Sequence, residues 1–206
     1  ATTLHWIVPL GLSYHTLQSI SYIVDVYRKT MPVERSLVHQ ALYLFFLPQL
    51  TVGPVERASH FFPQLYSRVP RSAALIHEGF VLFLWGLCKK TVVADRIGSV
   101  IMPIFASPDG VSPLVLVGCL ALYAIQLYTD LSGYTDMARG LARMLGYDLM
   151  PNFNDPFSAR SISDFWRRYH MTLSTWFREY VFMPTTLALS RTTRHIMPRT
   201  ASMMTS

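Results

Sequence analysis

The sequence predicts an all-α, multi-helix integral membrane protein, with broken, re-entrant or interfacial helices set around a central cavity. Three observations predict it. Of 206 residues, 51% are hydrophobic and 15% charged, against about 25% charged in ordinary soluble domains. The charged residues fall in short groups that separate charge-free apolar stretches. Positive charge also occurs in nearly every connection, at 28–35, 57–71, 89–96, 139–143 and 160–168. If each apolar stretch crossed fully, the positive-inside rule would fail, so some must turn back or lie in the interface. A mean hydropathy of +0.28 suits a membrane protein with substantial polar portions.

The net charge of +6 invites a nucleic-acid reading. The basic residues, however, stand in short groups between apolar runs, which suits lipid headgroups better than a phosphate-tracking face; no nucleic-acid partner is expected. Cys88 and Cys119 lie in apolar runs without metal-ligand spacing and read as small buried hydrophobes. No metal site is expected. The chain begins with Ala1 and shows no secretory signal, so it reads as a piece of a longer protein.

Residues 1–24 carry no Asp, Glu, Lys or Arg and are long enough to cross about 30 Å of hydrocarbon. His5, His15, Gln18 and several serines make the stretch polar for lipid exposure, so a cavity-facing or re-entrant placement is predicted; a core helix of a soluble protein is the alternative. A second charge-free stretch, 36–55, holds Pro48, which removes a backbone donor and ends or bends the helix. Residues 56–71 are predicted as a loop. A third apolar helix runs from about Ser72 to Cys88, with Lys89 and Lys90 in the position of interface anchors. The apolar run 97–106 is too short to span straight. Residues 107–113 form a turn, and 110–129 are the clearest spanning candidate. The chain stays helical to a stop at Gly146, acquiring Asp130, Asp136, Arg139 and Arg143. Asp136 and Arg139 are spaced to pair on one face. Acids inside a bilayer are costly and mark function; outside it they are merely solvated.

Residues 156–184 carry the chemistry. Ser161 with Asp164 is a helix-start signal. A helix continuing from it places Trp166, His170, Leu173 and Phe177 on one stripe, flanked by Arg167, Arg168 and Arg178, with Ser174 and Thr175 further on. An imidazole between aromatic rings is either a satisfied core histidine or a proton-handling group in an apolar, cation-lined cavity. Periodicity does not decide between them.

The string Phe165-Trp166-Arg167-Arg168-Tyr169-His170-Met171-Thr172-Leu173-Ser174-Thr175-Trp176-Phe177-Arg178-Glu179-Tyr180 closely resembles a signature of the membrane-bound O-acyltransferase (MBOAT) family. The likeness is to its bacterial branch, which includes the alginate O-acetylation protein and the D-alanyl transferase of teichoic acids. It extends through residues 128–142, Asn152-Phe153-Asn154, 47–55 and 18–28, in the family's order. The resemblance implies transfer of an acyl group, acetyl first, to hydroxyls of a cell-envelope or exo-polysaccharide such as alginate. It implies an acetyl-CoA or acyl-carrier thioester as donor substrate rather than a bound cofactor, and a multi-pass place in the bacterial inner membrane among lipid. Polysaccharide is the implied acceptor, and extracytoplasmic acetyltransferases are the implied protein partners.

His170 matches one of the family's two characteristic histidines; it is the catalytic candidate in this chain, assigned to a tunnel through the membrane as proton acceptor or hydrogen-bonding positioner. Trp166, Arg167, Arg168, Ser174, Tyr134, Asp130, Asp136 and Asn152 are the expected substrate-binding residues, although Arg167 and Arg168 serve equally well as headgroup anchors. The chain departs from the family where a second histidine, in a Trp-His-Gly string on a later helix and regarded there as the main catalytic residue, would follow. Residues 1–184 are therefore read as a partial MBOAT domain and 185–206 as a divergent, disordered tail, inactive without the missing string. The rival readings are a non-catalytic membrane scaffold for an extracytoplasmic acetyltransferase and a transporter fragment.

Overall fold

The computed structural model describes residues 11–50, 53–67 and 72–196, with side chains through residue 190. Among the described residues the chain is helical with no strand. His5, the Thr51-Val52 part of the 47–55 string, Arg68, Arg71, the side chain of His195 and residues 197–206 lie outside this description.

The longest element is α6, Pro113–Met144. Thirty-two residues at 1.5 Å each give a rod of about 48 Å, and it is the one described helix long and apolar enough to cross a membrane. Pro113 sits at its first turn, where the missing N–H has no intrahelical partner to lose. It ends at Gly146 (φ 90°), with Tyr147 N–H donating to Ala142 O at 2.9 Å and Gly146 N–H to Arg143 O at 2.9 Å, as a glycine-terminated helix should. Expectation and structure agree along this stretch. Leu114, Val117 and Leu120 are at least 60% exposed, leaving an apolar surface with no protein over it.

Packed antiparallel along α6 is a second rod made of α4 (Ala73–Cys88), a π-helical stretch Lys89–Ala94, and α5 (Asp95–Ala106). Its start is fixed by Ser72, whose hydroxyl accepts from Leu75 N–H at 3.2 Å. The short run 97–106 is thus not a separate re-entrant piece but the continuation of α4. Gly79, Gly86, Ala94 and Ile101 are its buried positions. On α6, Gly79 meets Gly140, Gly86 meets Gly133 and Gly98 faces Gln126, so the α6 partners recur at a period of seven. A Cβ on Gly79 would lie 2.7 Å from Gly140 O, and one on Gly133 would lie 2.8 Å from Gly86 O. The two backbones touch, and only glycine permits it.

The rest of the chain packs at the C-terminal end of α6. Helices α1 (Leu12–Tyr27), α2 (Leu37–Leu44) and α3 (Ala58–Tyr66) surround Tyr43, Phe46, Phe61, Phe62, Ala142 and Leu149. The rings stack, tilt or meet edge-on at centroid distances of 5.1 to 5.7 Å, with Phe61 and Tyr147 stacked at 5.5 Å. The expected loop 56–71 instead contains α3, because Pro63 sits only six places into it and costs a short helix little. Pro48 is buried in a 3₁₀ turn, Leu47–Gln49, so α2 ends where the proline predicts and does not cross.

The C-terminal part comprises α7 (Ile162–Arg168), α8 (Met171–Phe177), a π-helical stretch Arg178–Phe182 and α9 (Met183–Ile196). It is tied to α1 by Trp176 Nε1–H donating to Leu17 O at 3.0 Å and by the Tyr180 hydroxyl donating to Asp25 at 2.7 Å. The expected disordered tail does not begin at 185. Helix α9 runs through that boundary to Ile196, and the hydroxyls of Thr185, Thr186 and Ser190 donate to carbonyls three or four residues back, at 2.8 to 2.9 Å. The helix itself satisfies the hydroxyls of Thr185, Thr186 and Ser190, part of the polarity that suggested disorder.

Candidate functional site

The continuous stripe predicted for the signature is interrupted at its centre. Ser161 does cap α7, accepting from Asp164 N–H at 3.1 Å, but the helix stops at Arg168. Tyr169 is extended and His170 takes a left-handed conformation (φ 46°, ψ 51°) before α8 begins. The loop 151–154 causes the break. Asn154 N–H donates to Arg168 O at 3.0 Å, and Asn152 O accepts from Met171 N–H at 2.8 Å. These bonds occupy backbone groups that a continuous helix would have needed for itself. Histidine is among the few residues that accept positive φ. Trp166 and His170 therefore project from different segments.

His170 is half-buried. Its Nδ1 lies 3.0 Å from Asn152 Oδ1, and its ring lies 6.1 Å from that of Phe153. Phe153 packs edge-on against Tyr169 and against Tyr128 of α6, at 5.1 and 5.4 Å. Burial pushes the imidazole pKa below its ordinary value, favouring the neutral ring, which can accept a proton. Asn152 itself is 1% exposed. Its Oδ1 also meets Thr172 Oγ1 at 2.9 Å and Thr172 N at 3.4 Å. Thr172 Oγ1 in turn accepts from Val55 N–H at 3.0 Å, so the segment closing the 47–55 string is physically joined to the signature.

Beside the break opens a cleft of about 330 Å³ lined by Ser163, Trp166, Arg167, Met171, Ser174, Thr175 and Arg178. Two guanidiniums, three hydroxyls and an exposed indole face can hold an anionic or sugar-like group. Three of the expected binding residues, Trp166, Arg167 and Ser174, meet here. Arg168 turns away from them: it pairs with Asp164 at 3.1 Å and reaches Ser158 Oγ at 3.4 Å. That arrangement ties the last turn of α7 to its first and holds the Asp164 carboxyl below the usual carboxylate range.

The expected residues on α6 are engaged elsewhere. Asp136 pairs with Lys89 and Asp130 with Lys90, both at 2.6 Å, and Lys90 also lies 5.3 Å from the Tyr134 ring centre. Asp136 does not pair with Arg139, whose Nε–H instead donates to Leu149 O at 3.2 Å. Lys89 and Lys90 are not free headgroup anchors, because the facing helix supplies carboxylates to both. Thr172 and Ser163 were not singled out from the sequence; Thr172 is silent there because its partner is 20 residues away.

A second polar cluster also has no signal in the sequence. Glu56 is fully buried; its carboxylate meets His60 Nδ1 and accepts from Met150 N–H at 2.9 Å. The hydrogen bond to Glu56 raises the His60 pKa. Arg57 reaches Glu179 at 3.2 Å and lies 4.8 Å from the Tyr180 ring centre. Among the described residues, no three His, Cys, Asp or Glu side chains converge in a metal-binding group.

Residues 33–201 match the family described as MBOAT, membrane-bound O-acyltransferase. The chain is 41% identical over 179 residues to a protein of Azotobacter vinelandii named "Probable alginate O-acetylase AlgI", covering 87% of this chain and 36% of that protein. It is 35% identical over 211 residues to the peptidoglycan O-acetyltransferase of Helicobacter pylori, covering 88% and 40%. It is 30% identical over 189 residues to the teichoic acid D-alanyltransferase of Streptococcus thermophilus, covering 88% and 45%. The chain thus spans less than half the length of these curated relatives.

Proposed function

Because the chain belongs to the membrane-bound O-acyltransferase family, we propose that it forms part of an enzyme that moves an acyl group, acetyl first, from a thioester to a polysaccharide hydroxyl. The acceptor is a cell-envelope or exo-polysaccharide, and the donor is acetyl-CoA or an acyl-carrier thioester. A sugar hydroxyl is a poor nucleophile. A base that takes its proton as the oxygen attacks the acyl carbon contributes about 10²–10⁴-fold. The C–S bond then breaks, and the departing sulfur receives the proton. His170 is the base in this reading, and Trp166, Arg167, Ser174 and Arg178 hold the reacting partners in line. Asp130, Asp136 and Tyr134 brace the helix pair rather than touch substrate. The multi-pass, inner-membrane placement and the extracytoplasmic acetyltransferase partners belong to the same proposal.

The observation that carries the reading is the half-buried imidazole, held against Asn152 at a helix break beside a cleft lined by Arg167 and Arg178. The test is His170→Ala in the gene carrying this chain, expressed in a host that makes an O-acetylated polysaccharide. Ester content of the purified polymer is then read by proton NMR. Loss of most of the ester is expected; unchanged ester would leave the scaffold reading in its place.

A further inference from the structure

We propose that Asn152 is a positioning residue that holds neutral His170 in the Nδ1–H tautomer, leaving Nε2 as the atom that takes a proton. The tautomer follows from who can donate to whom. Val55 N–H donates to Thr172 Oγ1 at 3.0 Å, so that hydroxyl is used there as an acceptor. Its own hydrogen is free to go to Asn152 Oδ1, 2.9 Å away. The backbone N–H of Thr172 points to the same atom at 3.4 Å. Two donors from Thr172 identify it as the amide oxygen, because a turned amide would set Nδ2–H against N–H. An amide oxygen has no proton to give. The contact of 3.0 Å between it and His170 Nδ1 therefore needs its proton on Nδ1.

The geometry around the pair is built to keep it so. Asn152 O accepts from Met171 N–H and Asn154 N–H donates to Arg168 O, at 2.8 and 3.0 Å. These bonds register the asparagine loop against both sides of the helix break that presents the ring. The orientation leaves Asn152 Nδ2 buried without a partner, the kind of loss that costs about 1–3 kcal/mol. The site accepts that loss to spend Oδ1 on three donors. An amide is also the fitting partner for a base: it fixes the ring without the negative charge that would favour imidazolium.

The role of Nε2 in proton transfer rests on the acyl-transfer reading, whereas the tautomer does not. The test uses the chain with ring-labelled ¹⁵N,¹³C-histidine in lipid nanodiscs at pH 8, with His170→Gln subtracted to assign the signal. His170 should show a protonated Nδ1 and a pyridine-like Nε2. Asn152→Ala should shift it toward the Nε2–H form, and Asn152→Asp, which keeps an accepting oxygen, should restore Nδ1–H. In membranes that carry out transfer, Asn152→Ala should lower kcat about 10- to 100-fold with KM little changed, and Asn152→Asp, whose charge favours imidazolium, should recover part of it with the pH profile of kcat moved upward. An Nε2–H wild-type ring overturns the proposal whether or not any variant folds. So does a folded Asn152→Ala protein that keeps a pure Nδ1–H ring. An Nδ1–H ring in a protein whose polysaccharide acylation survives His170→Ala upholds the positioning and removes the acyl-transfer reading alone.

Discussion

The helix pair α4–α6 and the cluster around Tyr43, Glu56 and Asn152 are both closely packed, by opposite means. In the pair, Gly79 meets Gly140 and Gly86 meets Gly133 backbone to backbone, while the large side chains, among them Phe80, Trp85, Leu114 and Val117, stay exposed. In the cluster, the largest side chains are the buried ones, and polar groups such as Gln18, Glu56 and Asn152 are buried with them. Lipid tails are as apolar as leucine, so helices surrounded by them gain nothing by hiding leucine and associate through small residues and close contact. A polar cluster needs the reverse, a shell thick enough to exclude solvent and partners for each buried group. One chain thus carries a half whose apolar side chains face outward and a half in which polar side chains are buried among aromatic ones.

The largest effect should come from breaking the polar half at its most buried charge. Glu56→Ala deprives Met150 N–H of its acceptor, takes the charge partner from His60, whose side chain is 40% exposed, and leaves a cavity, at about 2–4 kcal/mol in all. Glu78, whose side chain is 59% exposed and 3.8 Å from Arg143, should tolerate Ala within about 0.5 kcal/mol. Thermal unfolding in detergent compares the two, and equal shifts would erase the distinction. In the helix pair, Gly86→Ala or Gly133→Ala forces the backbones apart and should cost about 1–3 kcal/mol. Gly118 has nothing within 4 Å of an added Cβ, so Gly118→Ala should instead gain about 0.5–1 kcal/mol.

A smaller effect separates the two histidines by pH. The folded-state pKa of His60 is raised by Glu56, so its stabilisation is complete below the unfolded value of about 6.5 and is lost as pH rises through the folded pKa. His170 is shifted down by burial. The unfolded chain binds its proton first, and stability falls as pH drops from about 6.5 through the lower folded value. His60→Gln should therefore flatten the alkaline side of a stability–pH curve, and His170→Gln the acid side. The smallest effect is expected at Arg167, whose side chain is 73% exposed: Arg167→Ala should leave stability within about 0.5 kcal/mol while weakening whatever anion the cleft holds.

What the sequence disclosed was local. Ser161 as a cap, Gly146 as a stop, Pro48 as a break and the helical run from 113 past Asp130 each depend on residues within one or two turns. The break at His170 was not legible, because Asn152 and Asn154 cause it from another segment. The pairing of Asp136 with Lys89 rather than Arg139 was hidden likewise, since the facing helix is 47 residues away in sequence. The glycine register is visible as a spacing of seven in each rod, yet it takes on meaning only when the rods are laid side by side.

The wide turn at Lys89–Ala94 sets the phase of the second rod. Its inward positions run 79, 86, 94 and 101, so the step across that turn is eight where its neighbours are seven. The surplus residue is absorbed by the slack winding and resets α5 to face its partner. Excision of Val92 should remove the surplus, return the stretch to ordinary pitch and leave Ile101 facing its partner, whereas excision of Ser99 from the regular part of α5 should swing everything beyond it by roughly 100° and carry Ile101 out to lipid. Along this rod a single-codon deletion in regular helix should therefore be more damaging than one in the wide turn. Cysteine accessibility at position 101, in the intact chain and with each deletion, would tell the two outcomes apart.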